Sequence, residues 1–584
     1  MHGGEIIKLK RPKRIIDAIF ALMLIASAIF LVRVAPVGYN GYDEMFYLSV
    51  PYRLTQGDAL IVNEWHPAQL AGFLTWPLMR AFLAINGGTE GIVLTFRYIY
   101  IAAHTLAAVC VYLILRKKNA AGAVAAAISF YLFIPYYRLA LSYNSMGIGL
   151  LLLAGLLMAT AERGRGFAAA GLMFAGAVLC CPYLMIIYGI YCALTLLRAI
   201  CGARGILDAR AFDWRAWGGF TLGAAALAAA LCAAILSRAG VDEVIAALPN
   251  IFNDPEHVQI DLKERITLYI RHLCLSRAIA RLASFGTAGI LIISALDKGR
   301  ARRRWLYLAA AAVITLIYLA ASINRYRYIN YLMLPLNILG VTAYALTRDK
   351  NRGLFMFVFI PGWIFSFFKS MASNQFYYAL TEALAVSTAA SAYFILALLC
   401  EMHEENKSAA RGRRTLNLTA AALSAAAILG LWALLIRDRA EIACGNCRTT
   451  GIDAAYTLTA RMNGGVADGL YGTEEQAQEY AAYMDAAKAM REYDGATALY
   501  FTWEQWLCLE DEKLCAAYSQ WLSLTSPVKS AARLEDYWRL NPDRRPDVIF
   551  LDKELAATDG VAQQIDVEGY TLTENEKAYV YKKA

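Results

Sequence analysis

Gly41-Tyr42-Asp43-Glu44-Met45-Phe46-Tyr47 heads a hydrophilic loop, and Asn63-Glu64-Trp65-His66-Pro67 follows about twenty residues later in the same loop. Before them runs an apolar segment from Ile15 to about Val37, itself preceded by Lys8, Lys10, Arg11, Lys13 and Arg14. That run is too long for the core of a cleaved leader and no small-residue cleavage site follows it, so it reads as a retained membrane helix. The cations in front of it place the N-terminus in the cytoplasm and the acids just outside. Adjacent carboxylates, a third acid and an imidazole beyond a first span stand where a membrane enzyme keeps acid/base groups at the water boundary.

Working outward, the 584 residues are 59% apolar and 18% charged, with a mean hydropathy of +0.42. Such a chain is too apolar for a soluble multidomain protein and long enough for many spans. Taking roughly twenty residues per span, further helices are expected near 91–115, 120–135, 144–161, 167–181, 183–199, 217–236, 277–296, 305–322, 328–347, 353–369, 377–400 and 415–436, thirteen in all. With the N-terminus inside, the inside connections carry 26 Lys/Arg, and the outside segments and spans before residue 437 together only 14, which is the positive-inside bias. An odd number of spans puts the C-terminus outside.

Residues 437–584 hold 16 of the 56 Lys/Arg but 25 of the 47 Asp/Glu, so the basic balance of the chain belongs to its membrane part. Those basic residues fall in short clusters between apolar runs, which excludes a nucleic-acid surface. From Arg437 onward helical stretches such as Glu474 to Glu492 alternate with β-like runs at Ala496–Phe501, Val548–Leu551, Tyr570–Leu572 and Ala578–Tyr581. The fold class expected is therefore an α-helical polytopic membrane protein over 1–436, with a C-terminal extracytoplasmic α/β domain over 437–584. Two outside loops are long, 38–90 and 237–276, and long ordered loops are more often functional than idle. In the first, Gln69 to Leu83 reads as an amphipathic interfacial helix, with Trp65 and Trp76 suited to the headgroup level.

Asp43 has a plainer reading as the N-cap of a helix running from Glu44 toward Gln56, with Glu44 in the first turn. Cys444, Cys447, Cys508 and Cys515 form an even set outside the membrane and suggest disulfides, with three possible connectivities. Arg138, Arg325, Arg327 and Lys369 lie in outside connections against the charge bias, and such cations either snorkel to headgroups or meet an anionic ligand. Ser142-Tyr143-Asn144-Ser145 and Ser373-Asn374-Gln375 are polar patches at span ends that either cap helices or bind sugar hydroxyls. His66 and His257, with Glu64 or Asp254, match no metal-ligand spacing. No cofactor is indicated.

The first-loop residues resemble the C-type glycosyltransferase superfamily (GT-C), notably protein O-mannosyltransferases and lipid A aminoarabinose transferases. Those families carry an Asp-Glu pair at the start of the first outer loop, a Tyr, a Gly-Asp turn, and an acid and a base before a proline. Here the matching residues are Asp43-Glu44, Tyr47, Gly57-Asp58 and Glu64-Trp65-His66-Pro67. No Arg follows the acidic pair at the family's spacing, and His66 stands where the aminoarabinose branch has a Lys. The resemblance implies inverting transfer of a sugar from a polyprenyl-phosphate donor to an extracytoplasmic acceptor, in a multi-pass cell-membrane protein surrounded by lipid. It implies Asp43, Glu44 and Glu64 as the acidic site residues. Tyr47, His66, Arg138, Tyr143, Asn144, Arg325, Arg327, Lys369 and Asn374 are the expected substrate contacts. Rival expectations are a lipid or glycan transporter and a non-catalytic envelope-assembly protein; against the first, charges within spans are scarce and no inverted repeat is evident.

Overall fold

The computed structural model describes residues 3–202, 210–252, 261–275, 277–323, 332–347, 350–373, 377–408, 410–441, 458–522, 526–558 and 560–584. Among them ten helices are long and apolar enough to cross a membrane, and three shorter apolar ones lie at Ala120–Leu132, Gly164–Cys180 and Met333–Thr347. Each of the thirteen expected spans falls on one of these helices. Their large exposed side chains, such as Leu22, Leu106, Leu222 and Ile293, face outward where water would not tolerate them in such number. The chain is a multi-pass membrane protein.

Beyond α1 (Gly3–Val34) the first loop forms α2 (Asp43–Gln56) and α3 (Ala71–Asn86) before α4 (Ile92–Arg116). Asp43 does not cap α2. The N-cap is Tyr42, and Asp43 is the first helical residue; the Asn40 Oδ1 accepts from the backbone N–H groups of Tyr42 (3.0 Å) and Asp43 (3.1 Å), which leaves the Asp43 carboxylate to point elsewhere. The helix stops at Gly57, whose φ of +109° is open to glycine and strained for other residues. The stretch Gln69–Leu83, expected as an amphipathic helix, forms α3, with Met79 and Phe82 buried and Leu78 and Ile85 exposed. It packs so closely on α2 that a Cβ at Gly72 would lie 2.4 Å from Val50 Cγ1.

The C-terminal domain is built on a five-stranded mixed sheet. Its strands are β3 (Thr497–Phe501), β4 (Leu514–Cys515), β5 (Val548–Asp552), β6 (Tyr570–Glu574) and β7 (Ala578–Lys583), in the order β4-β3-β5-β7-β6. The ribbon β1 (Ala460–Arg461) and β2 (Tyr471–Gly472) lies apart from it. Strands β3 and β5 pair in parallel and are buried throughout, as central strands covered on both faces must be. All four β-like runs are strands. The two-residue β4 is too short to show any periodicity and was not legible in advance.

The first loop belongs to this domain's cores as much as to the membrane part. Met45, Leu48 and Tyr52 pack with Ala498, Tyr500 and Phe550 on one face of the sheet, and Trp65 with Leu499, Ile549 and Tyr537 on the other. Trp65 is accordingly fully buried, its Nε1 donating to the Val62 carbonyl (3.1 Å), and not at headgroup level as expected. Burial of so large a ring in a protein core outweighs an interfacial position. Further stitches join α1's end to the domain: Gly38 N donates to Tyr471 O (2.7 Å) and Tyr471 N to Pro36 O (2.8 Å). Loop and domain therefore lie on one side of the helix array. Cys508 and Cys515 are buried and unbonded, contrary to the disulfide expectation; each sulfur is engaged by neighbouring backbone, Cys508 by the Gln505 carbonyl and Cys515 by Ala517. Cys444 and Cys447 lie outside the described residues.

Candidate functional site

Asp43, freed from capping, forms an ion pair with Arg138. Arg138 follows a tight turn, Pro135–Tyr137, in which Tyr136 (φ +52°) and Tyr137 (φ +59°) both hold the left-handed conformation disfavoured for bulky residues. Such backbone persists only when its surroundings over-determine it, and it gathers at functional sites. Here the buried Arg439 of the last membrane helix donates to the Tyr137 carbonyl, and Arg138 N to Pro135 O (3.1 Å). Burial lowers the Arg138 guanidinium to about 10, which leaves it a cation near neutrality.

On the same side lies a second ion pair. Lys369, near the end of the helix Ile360–Ala372, reaches Glu382 (2.7 Å) and donates to Asn144 Oδ1 (2.5 Å). Its amine also stands 5.9 Å from the Tyr136 ring centre. Glu382 is fully buried and lies within the electrostatic reach of Arg138. Tyr47 meets Tyr143 edge to face at 5.8 Å, and burial pushes the Tyr47 phenol well up, so it stays a neutral donor. Two narrow cavities meet at Tyr47 and Thr75, one reaching Glu44 and Arg97, the other Phe46 and Tyr143. Asp43, Tyr47, Arg138, Tyr143, Asn144 and Lys369 are thus brought together across three separate stretches of chain.

The other two acids are placed differently. Glu44 is gripped by Arg97 of α4 through Nε–Oε1 (2.8 Å) and Nη2–Oε2 (2.5 Å), while Arg97 also donates to the carbonyls of Ala35 (2.7 Å) and Gly38 (2.9 Å). Glu64 pairs with Arg53 (2.9 Å), which binds Asp58 (2.6 Å) and the Asn63 carbonyl; Arg544 of the C-terminal domain closes on Asp58 (2.8 Å). Burial pushes the Glu64 carboxyl up, against the opposing pull of the Arg53 guanidinium. Both acids hold the loop's shape: buried charges are tolerated only when paired and hydrogen-bonded.

His66 accepts from Ala68 N–H through Nδ1 (3.0 Å), and its ring stacks on Trp521 (centroids 5.6 Å) beside Phe46 (4.2 Å). The capping reading holds for Ser142 and Ser145, which form a reciprocal box at the start of Tyr143–Thr160, whereas Asn144 turns to Lys369. Arg325, Arg327, Asn374, Asp254 and His257 lie outside the described residues. Sequence reasoning missed Arg97, Glu382 and Tyr136. The first two had a signal, since each is a charge inside an expected apolar span; Tyr136 had none. The C-terminal domain covers the site's approach, with Trp503 edge-on to Tyr42 (6.2 Å) and a Cβ on Gly41 only 3.1 Å from the Glu504 carboxylate.

No protein-family model and no curated protein matches the chain. Among solved structures, it is similar to the Archaeoglobus fulgidus oligosaccharyltransferase determined with zinc and sulfate, at TM-score 0.45 and 14% identity over 96% of this chain and 73% of that one. It is also similar to ArnT from Cupriavidus metallidurans in the apo state, at TM-score 0.37 and 15% identity over 97% and 98% of the two chains. At these scores the likeness is one of general path, and the chemistry rests on this chain's own residues.

Proposed function

We propose that the protein is an inverting glycosyltransferase of the cell membrane that moves a sugar from a polyprenyl-phosphate donor to an extracytoplasmic acceptor. In this reading the N-terminus is cytoplasmic and the C-terminal domain outside, where its Trp503–Glu504 segment borders the acceptor side. The observation that carries the reading is one carboxylate, Asp43, partly exposed and paired with Arg138, while its neighbour Glu44 is buried and locked to Arg97. A base must reach substrate and phosphate must meet cations. Asp43 and Arg138 supply both within one contact.

The chemistry needs few parts. Asp43 takes the acceptor hydroxyl's proton as that oxygen attacks the anomeric carbon from the face opposite the phosphate, and the lipid phosphate leaves without needing a proton. Arg138 and Lys369 meet the leaving charge, and Arg's planar fork suits phosphate. Arg325 and Arg327 are further cations for this role. Tyr47, Tyr143, Asn144, His66 and Asn374 are assigned to the sugar and its carrier. Glu44 and Glu64 are positioning residues that hold the loop through Arg97 and Arg53.

Purified protein incubated with polyprenyl-phosphate sugars and an acceptor mixture should release polyprenyl phosphate. Asp43→Asn keeps the side chain's size but cannot take a proton, so turnover should drop roughly 10²–10⁴-fold with thermal stability almost unchanged. Full transfer activity in that variant would remove Asp43 as the base.

A further inference from the structure

Neither Arg138 nor Lys369 is available to an anion as it stands. Arg138 is occupied by Asp43 and Lys369 by Glu382, so two cations and two carboxylates sum to zero charge. The two pairs differ in how easily they can open. Asp43 has 18% of its side chain exposed and one end of its pair faces the loop, whereas Glu382 is 0% exposed, with Tyr136 beside it and Asn144 on the far side of Lys369. A ligand phosphate arriving here cannot simply add to the clamp; it must take a carboxylate's place.

We propose that the donor phosphate displaces Asp43 from Arg138, so that the base is held by arginine until the donor binds and is released when it does, with Glu382 remaining as the permanent counter-ion that positions Lys369. This rests on the glycosyltransferase reading and adds an order of events to it. While paired with Arg138 the Asp43 carboxylate is a poor proton acceptor, because the guanidinium stabilises its charged form. Once phosphate holds the guanidinium, that stabilisation goes and Asp43 can turn to the acceptor hydroxyl.

The reaction then balances within the site. The acceptor O–H bond breaks and its proton goes to Asp43, which becomes a neutral acid. The acceptor oxygen bonds the anomeric carbon as the bond from that carbon to the phosphate oxygen breaks, its electron pair leaving with the lipid phosphate. The phosphodiester carried one negative charge and the monoester product carries up to roughly two, so the charge gained by phosphate is the charge lost by Asp43. Arg138 and Lys369 face a constant total throughout. Return of the proton to water lets Asp43 compete again for Arg138 and helps expel the product.

Binding of polyprenyl phosphate in detergent micelles, measured by calorimetry on the full chain, tests the exchange. Removing the competing carboxylate in Asp43→Asn should tighten binding about tenfold, a shift worth one ion-pair exchange, although turnover is lost. In Asp43→Asn/Arg138→Gln that gain should vanish. Glu382→Gln should also bind more tightly; because that change alters a buried pair, the surface-facing Asp43→Asn is the deciding variant, with thermal unfolding as the check on folding. Unchanged or weaker binding in Asp43→Asn, together with lost transfer, would overturn the exchange and leave the base assignment standing. Intact transfer in Asp43→Asn would instead overturn the glycosyltransferase reading of this site.

Discussion

Replacing Arg97 by Met tests whether Glu44 shapes the loop or reacts. The guanidinium is 1% exposed and donates twice to Glu44 and once each to the carbonyls of Ala35 and Gly38. Met fills much of the volume but leaves a carboxylate 2% exposed with its cation gone. Breaking a buried pair on one side costs about 3–5 kcal/mol, and the two orphaned carbonyls stand to add about 1 kcal/mol or more each. The expected loss is therefore about 5 kcal/mol or more, a large share of a domain's total stability. Glu44→Leu alone should cost about as much, since it leaves the arginine unpaired. The double variant should cost clearly less than the sum, with a coupling of about 2 kcal/mol. Denaturant unfolding in micelles, followed by tryptophan fluorescence and by protease cleavage within residues 38–90, reads all three. A loss below about 1 kcal/mol for Arg97→Met, or strict additivity in the cycle, would refute the structural role of Glu44 and return it to the list of reacting groups.

Two further outcomes are expected. Gly72→Ala should destabilise the pairing of α2 with α3 by about 1–3 kcal/mol, because the new methyl would sit 2.4 Å from Val50 Cγ1; a neutral result in thermal unfolding would mean the two helices can separate freely. Cys508 and Cys515, buried and unbonded, should resist alkylation in the folded protein and react fully once it is denatured without reductant. Mass spectrometry finding a bond between them would contradict the structure.

Hydrophobic periodicity and charge bias reached far into this chain by themselves. Span length is set by bilayer thickness, a constraint local in sequence, so the thirteen apolar helices were legible one by one. The strands at Thr497, Val548, Tyr570 and Ala578 were legible for the same reason, as short β-branched and aromatic runs. Asp43 stood out because of its place just after the first span.

What Asp43 touches was another matter. Its partner Arg138 lies 95 residues away, and whether an Asp at a helix start caps the helix or faces a ligand depends on where the helix begins, here with Tyr42 at the N-cap and the Asn40 side chain on the first N–H groups. Glu44 and Glu64 looked equivalent to Asp43 in the sequence, yet Arg97 and Arg53 enclose them, and only the packing of α4 and of the C-terminal domain against the loop could separate the three acids. Hydropathy reports how a segment meets solvent and lipid. It carries no record of which distant charges meet, because ion pairs and shared cores are set by contacts between segments, and those exist only once the chain has closed on itself.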